Sequence, residues 1–449
     1  LGRAPSEGWA LGVLGAGLFL SLYTRSGGFY DLVRPDGLMI GLLSWSLLTS
    51  LTPPDSAARD PLRPMKAAGV LLFLAFVVKH NAASYGFPIA LGVLARHGVR
   101  AALTFVAWAA IPGLVFTLLM QLLTGGLFTV WLLDVPRSHM MVYNRVIPGS
   151  IREMGRTFSV TLVFGSVWML SLATRLAPRL PAPAITLAAA ASAGLSWLYL
   201  SGQGAVDGIE RPLPLEATSA YVFVGIAALI PALWIIGAIQ NRRADADVLF
   251  GAALLTTSWV TTGLMRGHQG GFLNVFIPVH WVMVAFLLVI LADTLRRLPT
   301  AAGTWLVAAI ATAQIGVFWY RWDGDRLQPE PRDAAAGDAI VAWLSERGEE
   351  PILSPFNPWL AAQAGKQPGW HLIALWDIRH PTGPFREQGQ AILEQIRKGH
   401  YGTIVDSDDG ADLGFVRAYE KTHTFQSDRR TFLPKTGWRA RPNVIWTRK

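Results

Sequence analysis

The sequence predicts a mainly α-helical, polytopic transmembrane helical bundle with a small soluble α/β domain at its C-terminal end. Hydrophobic residues make up 52% of the chain and charged residues only 15%, and the mean hydropathy is +0.36. A soluble domain ordinarily has about 25% charged residues, so this composition favours a membrane protein. The chain also has 18 tryptophans, and tryptophan concentrates where lipid meets water.

Charge and cysteine content narrow the classes of partner and chemistry. A formal net charge of +9 in a membrane protein indicates contact with anionic membrane lipids and anchoring on the cytoplasmic side. Motifs that read DNA or RNA are missing from the sequence, so nucleic acid is not an expected partner. The chain has no cysteine, which excludes disulfides, a thiol nucleophile and a thiolate metal site.

Apolar segments recur from the first residues to about Tyr320. A membrane crossing needs about 20 apolar residues, or about 17 at the short end, and we predict about 9–11 spans. Candidate spans lie at 8–23, 37–51, 67–79, 83–95, 101–123, 158–175, 183–201, 218–240, 248–265, 273–293 and 302–320. The short segments 67–79 and 83–95 form either two spans or one re-entrant hairpin, with Pro88 distorting its second arm.

Loop composition predicts which side of the membrane each end faces. One set of loops is short and dense in lysine and arginine, as in "ARDPLRPMK" and "ARHGVR". Short basic loops lie in the cytoplasm by the positive-inside rule. The other set, 24–36, 124–157, 202–217 and 266–272, is mixed in character and then faces outward. The C-terminal region shares that outer side.

From about Asp323 the pattern changes to that of an α/β domain. A polar linker, "DGDRLQPEPRD", is followed by predicted helices near 334–347, 357–365 and 384–398. Predicted strands are "PILSP", "HLIALW", "GTIVDSD" and "NVIW". Because strands alternate with helices, we expect one small α/β unit. The predicted domains are therefore 1–322 in the membrane and 323–449 outside it.

Charged and polar residues collect at the predicted outer ends of the spans. A charged residue at membrane depth costs roughly 2.5–3.5 kcal/mol, so such positions suggest a function. The candidates are Asp31, Arg34, Asp36, Lys79, His80, Arg137, His139, Arg266, His268 and Asn274. For any one of these residues, the alternative interpretation is that its side chain snorkels to the membrane interface or stabilises a helix end. Their collection on one side favours a shared site.

Lys79 is the sharpest of these candidates, because it separates two short apolar runs in "LLFLAFVVKHNAASYGFPIALGVL". A lysine here either snorkels outward or holds a phosphate as a point charge. Arg34 and Arg266 would add forked donors to the same phosphate. His280, by contrast, lies inside an apolar helix, where a lone histidine is usually a hydrogen-bonded core residue.

The outer loop "LLDVPRSHMMVYNRVIPGSIREMGR" mixes arginines with apolar residues. It is either an interfacial amphipathic helix on anionic lipid or a wall around a lipid head group, and both interpretations stay open. Elsewhere the sequence has no HExxH motif, Walker loop or GxSxG elbow, which argues against a metalloprotease, an ATPase or a serine hydrolase.

The segments "GGFYDLVRPDGLMIGLL" and "FLAFVVKHNAASYGFPIAL" resemble bacterial GT-C membrane glycosyltransferases, the group related to protein mannosyltransferases and lipid A aminoarabinose transferases. "LLTGGLFTVWLLDVPRSH" and "GHQGGFLNVFIPVH" are similar to further pieces of that group. The likeness covers most of residues 8–320, and the C-terminal domain resembles an outer α/β domain of some of these enzymes. It implies an enzyme of the bacterial inner (plasma) membrane with an extracytoplasmic C-terminal domain.

The resemblance also implies partners and residue roles. The donor would be a polyprenyl-phosphate sugar, the acceptor a lipid, glycan or protein, and transfer would occur on the outer face. Arg34 and Asp36 match an Arg–x–Asp element that shapes the donor pocket, and Lys79 matches a lysine that binds the carrier phosphate. Arg137 and His139 match a "PRSH" element that would line the lipid or acceptor path. Arg266 joins the donor-binding set, and the remaining pocket candidates are Asp31, His80, His268 and Asn274.

The catalytic residue is not assigned. Inversion at the anomeric carbon needs a carboxylate base to activate the acceptor hydroxyl, and in the family this residue lies in the first outer loop. Because Leu1 leads directly into an apolar segment, we expect that loop to lie upstream of the present chain. Asp31 is not given this role. No cofactor is evident; metal dependence varies in the family, and no ligand set here demands a divalent metal.

Two other classes of function remain as alternatives. The first is a polytopic membrane transporter or lipid flippase. Transporters often contain internal repeats and discontinuous helices at matching positions, and no convincing internal repeat is seen here. The second is a non-catalytic scaffold whose outer domain binds a partner.

Overall fold

A computed structural model shows a mainly helical chain with one four-stranded sheet. The residues that it describes are 5–30, 35–53, 59–142, 144–176, 246–320, 328–407, 410, 413–425, 428, 431–432 and 440–449. The chain divides into two compact units. The helical unit contains Leu1–Leu119 and Met141–Trp322, and the α/β unit contains Met120–Met140 and Asp323–Lys449. The predicted division placed 120–140 in the membrane domain, whereas the structure joins this segment to the α/β unit.

The first part of the helical unit is a series of apolar helices. Their bounds are Pro5–Leu20 (α1), Asp36–Leu51 (α2), Arg63–Val78 (α3) and Gly86–Leu123 (α4). A 3-10 turn, His80–Tyr85, connects α3 to α4. Helices α2 and α3 pack against each other as a hairpin, in which the Ser46 hydroxyl donates to the Ala68 carbonyl at 2.8 Å. Helix α4 is interrupted at Gly98 (φ 81°), which separates the predicted segments 83–95 and 101–123.

The segment after α4 contains several short helices. They are Leu127–Thr129 (α5), a π-helical turn Val130–Asp134, Val135–Ser138 (α6), a second π-helical turn Arg145–Gly149 and Ser150–Thr157 (α7). The first three follow one another without a break, so residues 127–138 form one continuous helical stretch.

In the rest of the helical unit, the described residues form four longer helices. Their bounds are Ser159–Leu176 (α8), Ala246–Gly267 (α9), Ile277–Arg297 (α10) and Thr300–Trp319 (α11). A 3-10 turn, Leu273–Phe276, precedes α10. Helix α10 lies at the centre of the packing, since Met283 and Leu287 are fully buried. The predicted spans at 183–201 and 218–240 lie outside the described residues.

Three helices in the described part of the chain are long and apolar enough to cross a membrane. They are His80–Leu123, Leu273–Arg297 and Thr300–Trp319. This is compatible with a membrane protein. Shorter apolar helices lie at Gly8–Leu20, Asp36–Leu51 and Ser159–Met169. The larger number of spans remains a prediction.

The α/β unit is organised around a sheet with strand order β1-β2-β4-β3. The strands are Ile352–Leu353 (β1), Thr403–Asp406 (β2), Tyr419–Thr424 (β3) and Val444–Arg448 (β4). Strands β1 and β2 are parallel, with Leu353 opposite Ile404, and the other two pairs are antiparallel. Three of the four strands were predicted. β3 was not, because all its side chains after Tyr419 are exposed and the strand lacks an apolar pattern.

The described residues of 328–449 contain four helices in addition to the sheet. They are Pro331–Ser345 (α12), Trp359–Gln363 (α13), Leu372–Ile378 (α14) and Arg386–Arg397 (α15). The prediction of a strand at "HLIALW" is wrong, because this stretch forms most of α14. His371 accepts a hydrogen bond from the Ile373 amide at 3.2 Å and so caps the helix. Leu372 and Leu375 are buried three residues apart, a helical spacing that is easily mistaken for a short buried strand.

Candidate functional site

The most distinctive polar feature of the helical unit is a buried ion pair between Asp36 and Lys79. The Lys79 ammonium donates to the Asp36 carboxylate, and the side chains are 14% and 1% exposed, respectively. Asp36 is the first residue of α2, where a negative charge is favourable, and Pro35 precedes it at the N-cap. Lys79 ends α3 in an extended conformation. The α2–α3 hairpin therefore brings together the start of one helix and the end of the other.

This ion pair brings two of the predicted site residues into contact. It also changes the predicted electrostatic role of Lys79. The lysine is not a lone point charge, because a carboxylate offsets it. An ammonium group has three N–H donors, so the bond to Asp36 leaves donor capacity for a ligand. Arg34 and Asp31, which were predicted beside this pair, lie outside the described residues.

The His80–Tyr85 turn directly follows Lys79 in the sequence and contains several polar residues. The Tyr85 side chain is fully buried against Trp281, with ring centroids 6.2 Å apart. Its hydroxyl has no hydrogen-bond partner among the described residues. The turn also packs on α9, where the Thr261 hydroxyl donates to Ser84 at 3.1 Å. His80 itself is exposed.

Sequence reasoning missed Tyr85 and the polar groups of α9. The signal for Tyr85 was available, because "KHNAASY" is a polar island between two apolar runs. Thr261 and Thr262 could not be found in this way. Threonine is unremarkable in an apolar helix, and only the packing of α9 on the His80–Tyr85 turn brings Thr261 to Ser84.

Arg266 lies at a second polar location, at the end of α9. Its guanidinium donates to the Gly271 carbonyl. The Val142 amide donates to the Gly267 carbonyl at 2.7 Å, and Met141 forms a β-bridge with His268. A Cβ atom at position 267 would lie 2.2 Å from a Val146 methyl carbon, so glycine permits this close approach.

Among the described residues, Arg145 and Glu153 interact electrostatically with Arg266. Arg145 lies on the π-helical turn that packs against α9, and its side chain is exposed. Arg145 was not among the predicted site residues, since its proximity depends on how this turn packs. Two guanidinium groups offset by one carboxylate leave a local excess of positive charge, which suits a phosphate.

Asn274 and His280 are among the buried polar residues of the helical unit. Asn274, a predicted pocket residue, is 6% exposed in the turn before α10. His280 is fully buried, its ring is 5.9 Å from that of Phe276, and its Nδ1 is 3.5 Å from the Ser26 hydroxyl. The position of His280 agrees with its interpretation as a core residue.

Arg137 and His139 belong to the α/β unit. The His139 Nε2 atom is 3.4 Å from the Asp377 carbonyl and 3.6 Å from its carboxylate. The His139 ring centroid is 6.2 Å from that of His380. Arg137 is exposed. Within the described parts of the chain, no group of histidine and acidic residues is arranged to hold a metal ion.

Comparison with known proteins adds no relative. No family model, curated protein or solved structure matches this chain. A functional proposal therefore depends on the residues of the chain itself.

Proposed function

We propose that the protein is a GT-C type membrane glycosyltransferase that transfers a sugar from a polyprenyl-phosphate donor to an acceptor on the extracytoplasmic face. The buried pair of Asp36 and Lys79 carries this proposal. Charged groups inside a membrane protein are costly and usually mark a functional position. A buried ion pair is also weak evidence for stability, because desolvation offsets much of the attraction.

Lys79 is the group proposed to bind the carrier phosphate. When the acceptor oxygen forms its bond to the anomeric carbon, the bond from that carbon to the phosphate oxygen breaks, and its electron pair stays on the phosphate. A fixed ammonium group beside that oxygen stabilises the developing charge. Asp36 accepts a hydrogen bond from the ammonium group and so orients it. The base that accepts the proton from the acceptor hydroxyl is not assigned.

Arg266 and its neighbour Arg145 supply a second cationic location on the helical unit. In this proposal they interact with an anionic part of the donor or acceptor. Asn274, His80 and His268 remain predicted pocket residues. Arg137 and His139 remain predictions for the acceptor path.

The test is binding of a short-chain polyprenyl phosphate to the protein in nanodiscs. Lys79→Met alone would remove the cation that faces the buried Asp36 carboxylate and could disturb the fold. The informative variant is therefore the double change Asp36→Asn and Lys79→Met, which is neutral at both positions. We expect this variant to fold and to lose phosphate binding at least tenfold. Binding of wild-type strength by the folded double variant would exclude Lys79 from the phosphate site.

The matched control is Lys66→Met on the same helix. Lys66 pairs with Asp60 at 2.9 Å, but these side chains are 36% and 42% exposed. Lys66 lies at the opposite end of α3 from Lys79. We expect its replacement to leave phosphate binding unchanged.

A transporter or flippase is the second candidate, because a buried acid–base pair also occurs in proton relays of transport proteins. The two functions differ in their products. A glycosyltransferase releases polyprenyl phosphate when donor and acceptor are both present, whereas a flippase moves the intact donor between leaflets. Chromatography of the lipid fraction after incubation separates them.

A further inference from the structure

Three parallel segments of the α/β unit lie side by side, so their carboxyl ends meet at one edge of the sheet. Strand β1 pairs with β2 on one side. On its other side lies the segment 367–369, joined to β1 by a parallel bridge between Ile352 and Pro368. The chain passes from β1 through α13 to 367–369, and then through α14 and α15 to β2. It therefore reaches the two neighbours of β1 in turn.

The helices of these two connections cover opposite faces of the sheet. Successive side chains of a strand point to opposite faces. Ile352 packs in one hydrophobic cluster with Leu360 of α13, whereas Leu353 packs in another with Leu375 of α14. A reversal of this kind is a topological switch point, where α/β folds bind ligands outside the carboxyl ends of their strands. The carboxyl end of β1 is therefore where a ligand site is expected.

The turn that follows β1 contains two buried polar atoms without partners. Ser354 is 1% exposed, and Asn357 is half-buried. The Asn357 amide donates to the Ser354 carbonyl at 3.2 Å and closes the turn. The Ser354 hydroxyl oxygen and the Asn357 side-chain oxygen have no hydrogen-bond partner among the described residues. A buried polar atom left unpaired costs about 1–3 kcal/mol, so two on one turn are expected where a ligand supplies the missing hydrogen bonds.

A second part of the chain runs beside this turn. The Gly369 amide donates to the Ile352 carbonyl at 2.8 Å. The Leu372 amide donates to the Pro355 carbonyl at 2.7 Å. Donor and acceptor are the same number of residues apart in both bonds, so the two segments stay in register between them. Trp370 lies between the two donors, just as the serine of the turn lies between the two acceptors, and the two residues are therefore neighbours.

Exposed apolar side chains lie on both sides of the turn. Trp359 is the first residue of α13, two positions after Asn357, and is 52% exposed. Trp370 and Ile373 are 44% and 56% exposed. Among the described residues of 328–449, Val416 is the only other large apolar side chain that is exposed. Apolar side chains that are exposed together indicate a binding surface, whereas a single one needs no explanation.

We propose that the carboxyl end of β1, with Ser354, Asn357, Trp359 and Trp370, binds a neutral pyranose oligosaccharide. The asparagine oxygen accepts hydrogen bonds and the serine hydroxyl both donates and accepts them, which matches the hydroxyl groups of a sugar. Indole rings offer flat apolar faces to the C–H groups of a pyranose ring. An anionic ligand would call for cations, and neither group of the turn is charged. The site belongs to the α/β unit and does not depend on phosphate binding by Lys79.

The test is saturation-transfer difference NMR with the whole protein in nanodiscs, in which a bound sugar receives magnetisation from the protein. The probes are cellotriose, chitotriose and mannotriose, and empty nanodiscs give the background. We expect at least one trisaccharide to bind, and Asn357→Ala and Trp370→Ala each to weaken that binding about tenfold or more. Val416→Ala is the matched control, because it removes another exposed apolar side chain of the same unit. Its binding should equal that of the wild type.

Asn357→Ala also separates a binding residue from a structural one. Its side-chain oxygen has no partner among the described residues, so without sugar this variant should keep the wild-type hydrogen exchange of the β2 amides. Faster exchange would show that Asn357 holds the fold and would overturn the proposal. Failure of all three trisaccharides to bind the wild type also overturns it, as does binding that survives both substitutions. If Trp370→Ala fails to fold, Trp359→Ala takes its place.

Discussion

The helical unit and the α/β unit each hold a basic side chain against a carboxylate, but in opposite surroundings. In the helical unit Asp36 is 1% exposed and Lys79 14% exposed. In the α/β unit Arg448 lies 2.9 Å from Glu350, and the two side chains are 52% and 56% exposed. Water screens the second pair, so exposed pairs of this kind contribute only about 0–1 kcal/mol. The two pairs therefore differ chiefly in how far water reaches their side chains.

Other polar side chains differ in burial between the units in the same way. In the helical unit the buried Gln314 side chain accepts from the Thr161 amide and hydroxyl at 2.9 and 2.8 Å and donates to the Thr157 carbonyl at 2.8 Å. In the α/β unit Arg332 pairs with Glu330 and Asp428 at the surface. Changes to the buried set should therefore cost far more stability than changes to the exposed set.

The largest effect is expected from Lys79→Ala. Removing one partner of a buried ion pair typically costs about 3–5 kcal/mol. The measurement is the free energy of unfolding in detergent, with Lys66→Ala as the control on the same helix. If Lys79→Ala lowers the free energy of unfolding no more than Lys66→Ala does, burial does not distinguish the Lys79–Asp36 pair from the Lys66–Asp60 pair.

Gln314→Leu should have the next largest effect. It removes the partner of groups on Thr157 and Thr161, and each buried polar group left unpaired costs about 1–3 kcal/mol. The exposed Thr312 lies on the same helix, so Thr312→Leu is the control and should be nearly neutral. Thermal unfolding of the two variants side by side measures the difference. Equal midpoints would contradict a structural role for the Gln314 network.

Glu350→Ala in the α/β unit should lower stability by only about 0–1 kcal/mol, since the pair with Arg448 is exposed. Hydrogen exchange of the amides in β2 and β4 measures this unit separately from the helical unit. The small effect should shrink further at high salt, because salt screens exposed charges. A loss above about 2 kcal/mol would remove the contrast between exposed and buried pairs.

The smallest effect is expected from pH at His371. Burial lowers the pKa of His371 below its ordinary value of 6.5, although the Asp377 carboxylate opposes this shift. The unfolded chain therefore binds the proton more readily than the folded chain, so stability falls as pH drops through 6.5 towards the folded pKa. His371→Asn keeps a capping acceptor and should remove this part of the pH dependence of α14 exchange. An unchanged pH profile would rule out His371 as its source.

Sequence patterns predicted most helices because apolar runs and polar breaks set their positions. Residues 36–51 and 246–267 form helices close to the predicted segments 37–51 and 248–265. The failures also have physical causes. "HLIALW" is too short for its apolar spacing to separate a strand from a helix, and β3 has too few apolar residues to show a pattern.

The candidate site was predictable only as a collection of residue types. Asp36 and Lys79 are unusual charges in apolar surroundings, and this property is visible in the sequence. Their direct contact depends on the α2–α3 hairpin, and the proximity of Arg145 to Arg266 depends on the packing of a π-helical turn against α9. Contacts between residues 43 and 121 positions apart cannot be read from local patterns.

By itself the sequence determined the predominance of apolar helices, the change of character near Asp323 and the scarcity of charge, because composition and periodicity are local properties. The tertiary structure alone decided which apolar helices are buried, as α10 is, and which are exposed, as α4 is. It also decided that Lys79 meets Asp36 and that 120–140 joins the α/β unit. These features depend on which surfaces pack together, and the energy of each charge depends on the water that this packing excludes.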